Sequence, residues 1–415
     1  MKRYKNMISI AAITVISLGT FYTKVATSES NLPNYYLKTV KGDSKAAKQI
    51  ELNVGYQDGG TGRNVKITTE GAEYRNFQSL LAELKSDRFE VESLNKLQKE
   101  EKNYMRGKIS SSNFYKDNDF VWYAGIKGEN QLSHKNNNGF KLTIDGLDLK
   151  TDERYTFSLA LPSVEKYAYI GIQDVQLVGK ELKIITSQNH PIQFGKTFTD
   201  NSEYHLYSIN LSQSKIVDHK VISFKLNQNA NTTTELLPAN EIDPTLPKEY
   251  YLFKEVQNEQ SVLSTGEQVN KEIGSTWHVI NLNTGNEEKL NLSKEQTEKS
   301  KMSEFFIEGD KFYLLSGIDK GVSVLTYNLK SKKVENERTI NVTKEADQQF
   351  SAFRVLNGKL YFTLIGNTID TDKRIYIADL NNGQIIFEGK IDLKNASKNN
   401  VDALKKLDYF DYTIL

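Results

Sequence analysis

Residues Ser303–Ile340 read SEFFIEGDKFYLLSGIDKGVSVLTYNLKSKKVENERTI, and this stretch decides the fold. FFIEG turns into DKFYLLSG, then VSVLTYNL, then KKVENERTI, so four short runs of β-branched and aromatic residues are separated by tight turns. Ser351–Ile391 repeats the grammar as AFRVLNG, KLYFTLIG, RIYIADL and GQIIFEGKI. Gly309-Asp310 and Asn357-Gly358 stand where the first strand reverses into the second, and such residues accept the positive φ of a two-residue hairpin. The third-to-fourth turn is Asp379-Leu-Asn-Asn-Gly383, matched by Asn281-Leu-Asn-Thr-Gly285. There an Asp or Asn side chain bonds its own backbone two residues on and Gly supplies the left-handed conformation.

Working outward, the Asp/Asn-Leu pair recurs at Asp148-Leu149, Asn210-Leu211, Asn281-Leu282, Asn328-Leu329 and Asp379-Leu380, each flanked by strands. Looser copies are Phe120–Ile126, Phe140–Leu147 and Tyr155–Leu161, then Tyr167–Val178 running on through Leu182–Thr186. Ile50–Tyr56 and Val65–Thr69 form a further pair joined by DGGTGRN. A four-stranded unit repeated in this way predicts an all-β fold, a β-propeller of six or seven four-stranded blades over residues 34–415, each sheet buried against its neighbours. The 22 tyrosines and 19 phenylalanines fill the space between sheets. Phe77, Leu80, Leu81 and Leu84 follow the helical period, and Val91, Leu94, Leu97, Tyr104 and Met105 continue the stripe to a stop at Gly107. This predicts a short helical insertion at about 76–106 that packs its apolar face onto the body. A further helix is expected at Asn399–Leu407. Tyr35–Val40 and Tyr409–Ile414 are the free strands expected to meet in one closing sheet.

The copies that end in D/N-L-x-x-G resemble the repeat of the PQQ-type and related β-propellers, whose blades close on a turn such as DLxTG. The resemblance covers most of the chain after about residue 50 as a repeat grammar. Quinone-cofactor propellers carry a tryptophan per blade and this chain has only Trp122 and Trp277, so the likeness implies no cofactor. The pattern also resembles uncharacterised exported proteins of Bacillus-like bacteria.

At the amino end Lys2, Arg3 and Lys5 precede an apolar run from Met7 to Tyr22, which reads as a signal peptide or membrane anchor over residues 1–28. The run is slightly short of a bilayer span, and Ala26 and Ser28 offer small residues for cleavage. The expected location is extracytoplasmic, either anchored in a bacterial cell membrane by a transmembrane helix or secreted. Membrane contact is expected only through this segment. The chain has no cysteine, which excludes disulfides, thiolate metal sites and cysteine nucleophiles. With 54 basic and 53 acidic residues and a net charge of +1, no basic surface for nucleic acid is implied. The alternating charges of Lys294–Lys301 read as a solvated loop.

No residue emerges as catalytic, cofactor-binding or metal-binding. The five histidines, His134, His190, His205, His219 and His278, lack metal-ligand spacing. His205 and His278 fall at equivalent repeat positions and so report repeat geometry. Asn270–Trp277 is a degenerate Asp box with Glu272 in place of the aspartate. Asp145/Asp148 and Asp370/Asp372 have carboxylates spaced for calcium, but as turn residues they need no ion. Gly59-Gly60-Thr61-Gly62 lacks the Lys-Ser/Thr of a P-loop, and the sequon at Asn231 matters only in a glycosylating host. The expected function is a non-enzymatic binding, scaffold or sensor propeller with a protein, peptide or cell-wall ligand. The alternative is a secreted hydrolase or lyase of polysaccharide, which needs converging carboxylates.

Overall fold

The computed structural model describes residues 13–17, 19–20, 32–58, 61–74, 91–128, 139–164, 167–194, 197–222, 232–239, 244–245, 247–262, 268–301, 303–366, 373–394 and 401–414. All five Asp/Asn-Leu turns are closed by the Asx side chain accepting a backbone N–H. The side-chain oxygens of Asp148, Asn281 and Asp379 accept the backbone N–H two residues on, at 2.7–2.9 Å. Those of Asn210 and Asn328 accept the N–H three residues on, at 3.0 and 2.7 Å. The fourth residue after each, Asp152, Ser214, Gly285, Lys332 and Gly383, has φ between +47° and +75°. The conformation is therefore a property of the turn, imposed even where glycine is absent. The Leu has its own task. Leu149, Leu282 and Leu329 donate their N–H groups to the carbonyls of Asp119, Glu249 and Asp310 at 2.7–2.8 Å, tying the third-to-fourth turn to the first-to-second one. The side chains of Leu282, Leu329 and Leu380 are buried beneath their turns.

In chain order, β1 (Tyr35–Gly42), β2 (Ile50–Asp58), β3 (Thr61–Ile67) and β4 (Ala72–Tyr74) come first, followed by helices α1 (Glu92–Glu100) and α2 (Lys102–Met105). Next come β5 (Phe114–Lys116), β6 (Phe120–Lys127), β7 (Lys141–Asp148) and β8 (Arg154–Ala160). The second meander is β9 (Tyr169–Val178), β10 (Glu181–Phe194), β11 (Thr197–Asn210) and β12 (Lys215–Ile222). The third is β13 (Thr232–Pro238), β14 (Tyr250–Val262), β15 (Gln268–Asn281) and β16 (Glu287–Lys289), with α3 (Lys294–Ser300) after it. The fourth is β17 (Glu304–Glu308), β18 (Lys311–Ile318), β19 (Gly321–Asn328) and β20 (Lys333–Asn341). The chain closes with β21 (Gln348–Leu356), β22 (Lys359–Gly366), β23 (Arg374–Asp379), β24 (Ile385–Leu393), α4 (Val401–Leu404) and β25 (Leu407–Ile414). The fold of the described residues is all-β, six antiparallel sheets with a few short helices.

The chain divides into two units, one made of residues 79–341 with 355–358, the other of residues 1–78, 342–354 and 359–415. The first holds four four-stranded sheets, each a meander of consecutive strands. Apolar layers join them in sequence. Leu142, Ile144 and Leu161 of one sheet meet Ile172, Leu182 and Tyr207 of the next. On the far face of that sheet, Ile185, Tyr204 and Leu206 meet Tyr251, Phe253 and Ile280. Leu252, Trp277 and Val279 then meet Phe312, Leu314 and Leu325. Central strands such as β7 and β19 are thus buried on both faces, whereas the outer strand β20 alternates. Each fully buried Leu, Ile or Phe contributes about 1.5–3 kcal/mol.

Helices α1 and α2 lie on the β5–β8 sheet as the apolar stripe foretells: Leu94, Leu97, Tyr104 and Met105 cluster with Phe114, Val121 and Leu147. The preceding stripe residues Phe77, Leu80, Leu81 and Leu84 lie outside the described residues. Lys294–Lys301 departs from the expected loop. It forms α3, because Ser293 and Gln296 make a reciprocal capping box and Glu295 pairs with Lys299 at 3.1 Å across one turn. Of the amino-terminal apolar run, residues 13–17 and 19–20 are helical. Among the described residues no helix is long and apolar enough to cross a membrane.

In the other unit the two free strands part company. The closing sheet expected to hold both holds only one, for β1 pairs with β24, Tyr35 opposite Leu393, as a fifth strand, whereas β25 pairs with β2, Ile50 opposite Ile414. Each end of the chain completes the sheet begun from the other end. The exchange works because both strands carry buried aromatic residues, Tyr35 and Tyr412, whose hydroxyls donate to Ala403 O and Ala352 O at 2.6 Å. Gly42, at φ +89°, lies so close to the Ile386 carbonyl that no Cβ fits.

Candidate functional site

A cleft of about 750 Å³ opens where the turns of the β13–β16 and β17–β20 sheets meet, lined by Tyr250, Val279, Asn281, Asn283, Asn286, Asp310 and Lys332 among others. The repeat turn builds it. The Asx turn at Asn281 carries Asn283 and Asn286 on its outside, and the Leu329-to-Asp310 backbone bond brings the β19–β20 turn against the β17–β18 turn. The floor is apolar, with Val279, Leu329 and the body of Tyr250 buried.

The cleft carries both signs of charge. Glu249, Glu288 and Asp310 line it together with Lys330 and Lys332. Lys332 is held in place by Glu288 at 2.7 Å, and this hydrogen bond raises its pKa above the ordinary lysine value. Burial, then the neighbouring Glu249 carboxylate, raises the Tyr250 phenol above its usual pKa despite a bond with Asn281, so it stays protonated and available as a donor. Amide groups that both donate and accept, a phenol over an apolar floor and paired charges suit a neutral polar ligand such as a saccharide or a peptide backbone.

The residues weighed from sequence fall elsewhere. Asp145 and Asp148 do not converge. Asp148 is spent on its turn, while Asp145 is buried beneath α2 and receives Lys108 Nζ at 2.6 Å, Arg154 Nε at 2.9 Å and Thr156 Oγ1 at 3.1 Å. Burial works to raise the Asp145 pKa, and the bonds from Arg154 and Lys108 more than offset it, leaving it below the usual carboxylate value. Glu272 lies within β15, 3.7 Å from Lys254, so the degenerate Asp box is continuous strand. His134, Asp370, Asp372, Gly59, Gly60 and Asn231 lie outside the described residues, as does the His190 side chain.

His205 and His278 do occupy equivalent places. Each lies on the third strand of its sheet, on the face toward the preceding one, and each meets a glutamate: His205 Nε2 is 3.6 Å from Glu203, His278 Nε2 is 2.7 Å from Glu255. Sequence reasoning missed that His219 reaches His205, with Nδ1 of His205 2.8 Å from Nε2 of His219. The signal was present, because the two lie symmetrically about the Asn210–Ser214 turn. Among the described residues no group of three or more His, Asp or Glu side chains is gathered to hold a metal.

No family model and no curated protein matches the chain. Among solved structures it is similar to a prolyl endopeptidase at 12% identity and TM-score 0.32, covering 67% of this chain and 33% of that one. A polysaccharide lyase, Uly1, is similar at 9% identity and TM-score 0.34, with 67% and 57% covered. The Dos1 propeller is similar at 11% identity and TM-score 0.31, with 69% and 61% covered. This chain therefore spans between a third and three fifths of the length of those chains.

Proposed function

We propose that the chain is an extracytoplasmic β-propeller, its six sheets the blades, which binds a protein, peptide or cell-wall ligand without transforming it. Four consecutive meanders stacked through shared apolar layers support the propeller reading, and the basic flank before the apolar run supports export. The Asp/Asn-Leu turn shared with PQQ-type repeats then serves geometry alone. The observation that carries binding is the Tyr250 cleft, where exposed Asn283 and Asn286 offer amides above an apolar floor. Its mixed charge suits neither nucleic acid nor an anionic lipid surface.

The second reading, a hydrolase or lyase of polysaccharide, draws on the carboxylates of Glu249, Glu288 and Asp310 beside the Tyr250 phenol. One experiment addresses both. The full chain is titrated calorimetrically with muropeptides, cell-wall oligosaccharides and a peptide library, and each mixture is assayed for new reducing or unsaturated ends. Saturable binding without products, weakened about tenfold by the Asn283→Ala/Asn286→Ala double variant, fits two lost hydrogen bonds. Product formation that disappears in Asp310→Asn would replace binding by catalysis.

A further inference from the structure

The β11–β12 hairpin carries a chain of hydrogen bonds that the cleft does not use. Its start is Glu203, whose Oε2 accepts the Tyr167 hydroxyl at 2.6 Å. That hydroxyl also lies 3.0 Å from Nε2 of His205, and Nδ1 of His205 lies 2.8 Å from Nε2 of His219. Tyr167 and His205 are 1% exposed, whereas His219 is half-buried at the outer strand. The rings are prearranged: His219 stacks on Tyr207 at 4.5 Å with 5° between planes, and on His205 at 5.1 Å with 15°. Tyr207 is itself fixed by Gln188 Nε2 at 2.6 Å.

Counting hydrogens assigns every role. A phenol has one proton, and the short contact gives it to the Glu203 carboxylate, so Nε2 of His205 must donate to the phenol oxygen. Between Nδ1 of His205 and Nε2 of His219 there is room for one hydrogen. In the neutral pair it belongs to His219. When a proton arrives at Nδ1 of His219, the bridging hydrogen passes to His205, and the charge comes to rest on the buried ring 3.6 Å from Glu203. A second proton would set two N–H groups against each other across 2.8 Å.

We propose that Glu203, Tyr167, His205 and His219 form a single-proton acceptor, through which this sheet responds to acidification outside the cell. The groups that face the pair agree with this. Glu203 and Tyr207 share its strand, Asp218 adjoins His219 on β12, Thr186 and Gln188 lie on β10, and Tyr167 comes from the segment before β9. The facing layer from β6–β8 contributes apolar side chains such as Leu142, Ile144 and Leu159. Burial also lowers the His219 pKa, partly offset by Asp218. Charging the bridge makes the contact of β11 with the exposed outer strand β12 a charge-assisted hydrogen bond.

The test follows the ring nitrogens of the full chain, labelled with 15N-histidine, from pH 8 to pH 5 by two-bond proton–nitrogen spectra. His205 and His219 are expected to shift together in one transition that takes up one proton, while His278 titrates apart from them. Glu203→Gln moves the joint transition down by about one pH unit, the effect of removing a nearby opposite charge. Two separate one-proton transitions, no transition, or a midpoint indifferent to Glu203→Gln overturns the proposal. Should that variant fail to fold, the proton count in the unaltered chain decides by itself.

Discussion

Lys108 Nζ lies 2.6 Å from Asp145 Oδ2, with both side chains less than a tenth exposed, and the contact clamps the end of α2 to the β5–β8 sheet. The clamp is closed around its charge: Lys108 lies 3.9 Å above the Tyr104 ring, and the Tyr104 hydroxyl donates to Asp145 O at 2.9 Å. Asp145→Ala strands a buried ammonium and is expected to cost about 3–5 kcal/mol. The Lys108→Met/Asp145→Leu double variant should recover most of that loss. Chemical denaturation of the three proteins measures it, and equal stability of Asp145→Ala and the unaltered chain would deny the clamp.

The left-handed residue of the repeat turn offers a second measurement. Ser214 holds φ +47° without being glycine. Ser214→Gly should gain about 0.5–1 kcal/mol, and Gly285→Ala should lose about 1 kcal/mol. In Gly285→Ala the added methyl meets only Lys220 Cδ at 3.8 Å, an ordinary contact, so backbone strain alone sets the cost. Opposite signs in a thermal melt are the expected outcome.

Acid should weaken the β13–β16 sheet. Burial lowers the His278 pKa, and the Glu255 bond recovers only part of the shift. The folded chain thus binds fewer protons at this ring than the unfolded one, whose histidine titrates near 6.5. The stabilisation is full above about pH 6.5 and is lost as pH falls from there through the folded value. A melt at pH 7.5 should exceed one at pH 5.5, and His278→Gln should narrow the difference.

Removal of residues 407–414 strips β25 from β2 and exposes the places of Leu407 and Tyr412, both buried. A loss of at least about 3 kcal/mol is expected, from two large apolar side chains. An unchanged denaturation midpoint would show β25 to be dispensable.

Export is checked by joining alkaline phosphatase after residue 60. The fusion should be active, and a cytoplasmic reporter at the same junction silent. The reverse pattern would place the body inside the cell.

Much of the architecture was legible because the repeat turn depends on local chemistry. An Asx side chain, a buried Leu and a left-handed fourth residue can be read within five positions, as Asn281–Gly285 shows. What escaped was of two kinds. Phe114–Lys116 is a strand of three residues, too short for a period-2 pattern to register. Partners such as Tyr35 and Leu393 depend on the alignment of distant edges, which no local spacing encodes. The cleft escaped for the same reason: Tyr250, Asn283 and Asp310 come from three separate turns, each of an ordinary composition. Lys294–Lys301 is a helix and not the loop its charge alternation implies, because the Ser293–Gln296 capping box is the stronger local signal.

The exchange of terminal strands also sets a clock on maturation. A chain emerges amino end first, whether from a ribosome or a translocation channel. Tyr35 must nevertheless wait for Leu393, and Ile50 for Ile414, before either outermost ladder can form. Throughout that interval β1 and β2 are unsatisfied edges, open to mispairing with a second nascent chain. The outermost ladder of each of these two sheets therefore forms late. A holding chaperone that engages β1 and β2 would protect these edges until β24 and β25 arrive.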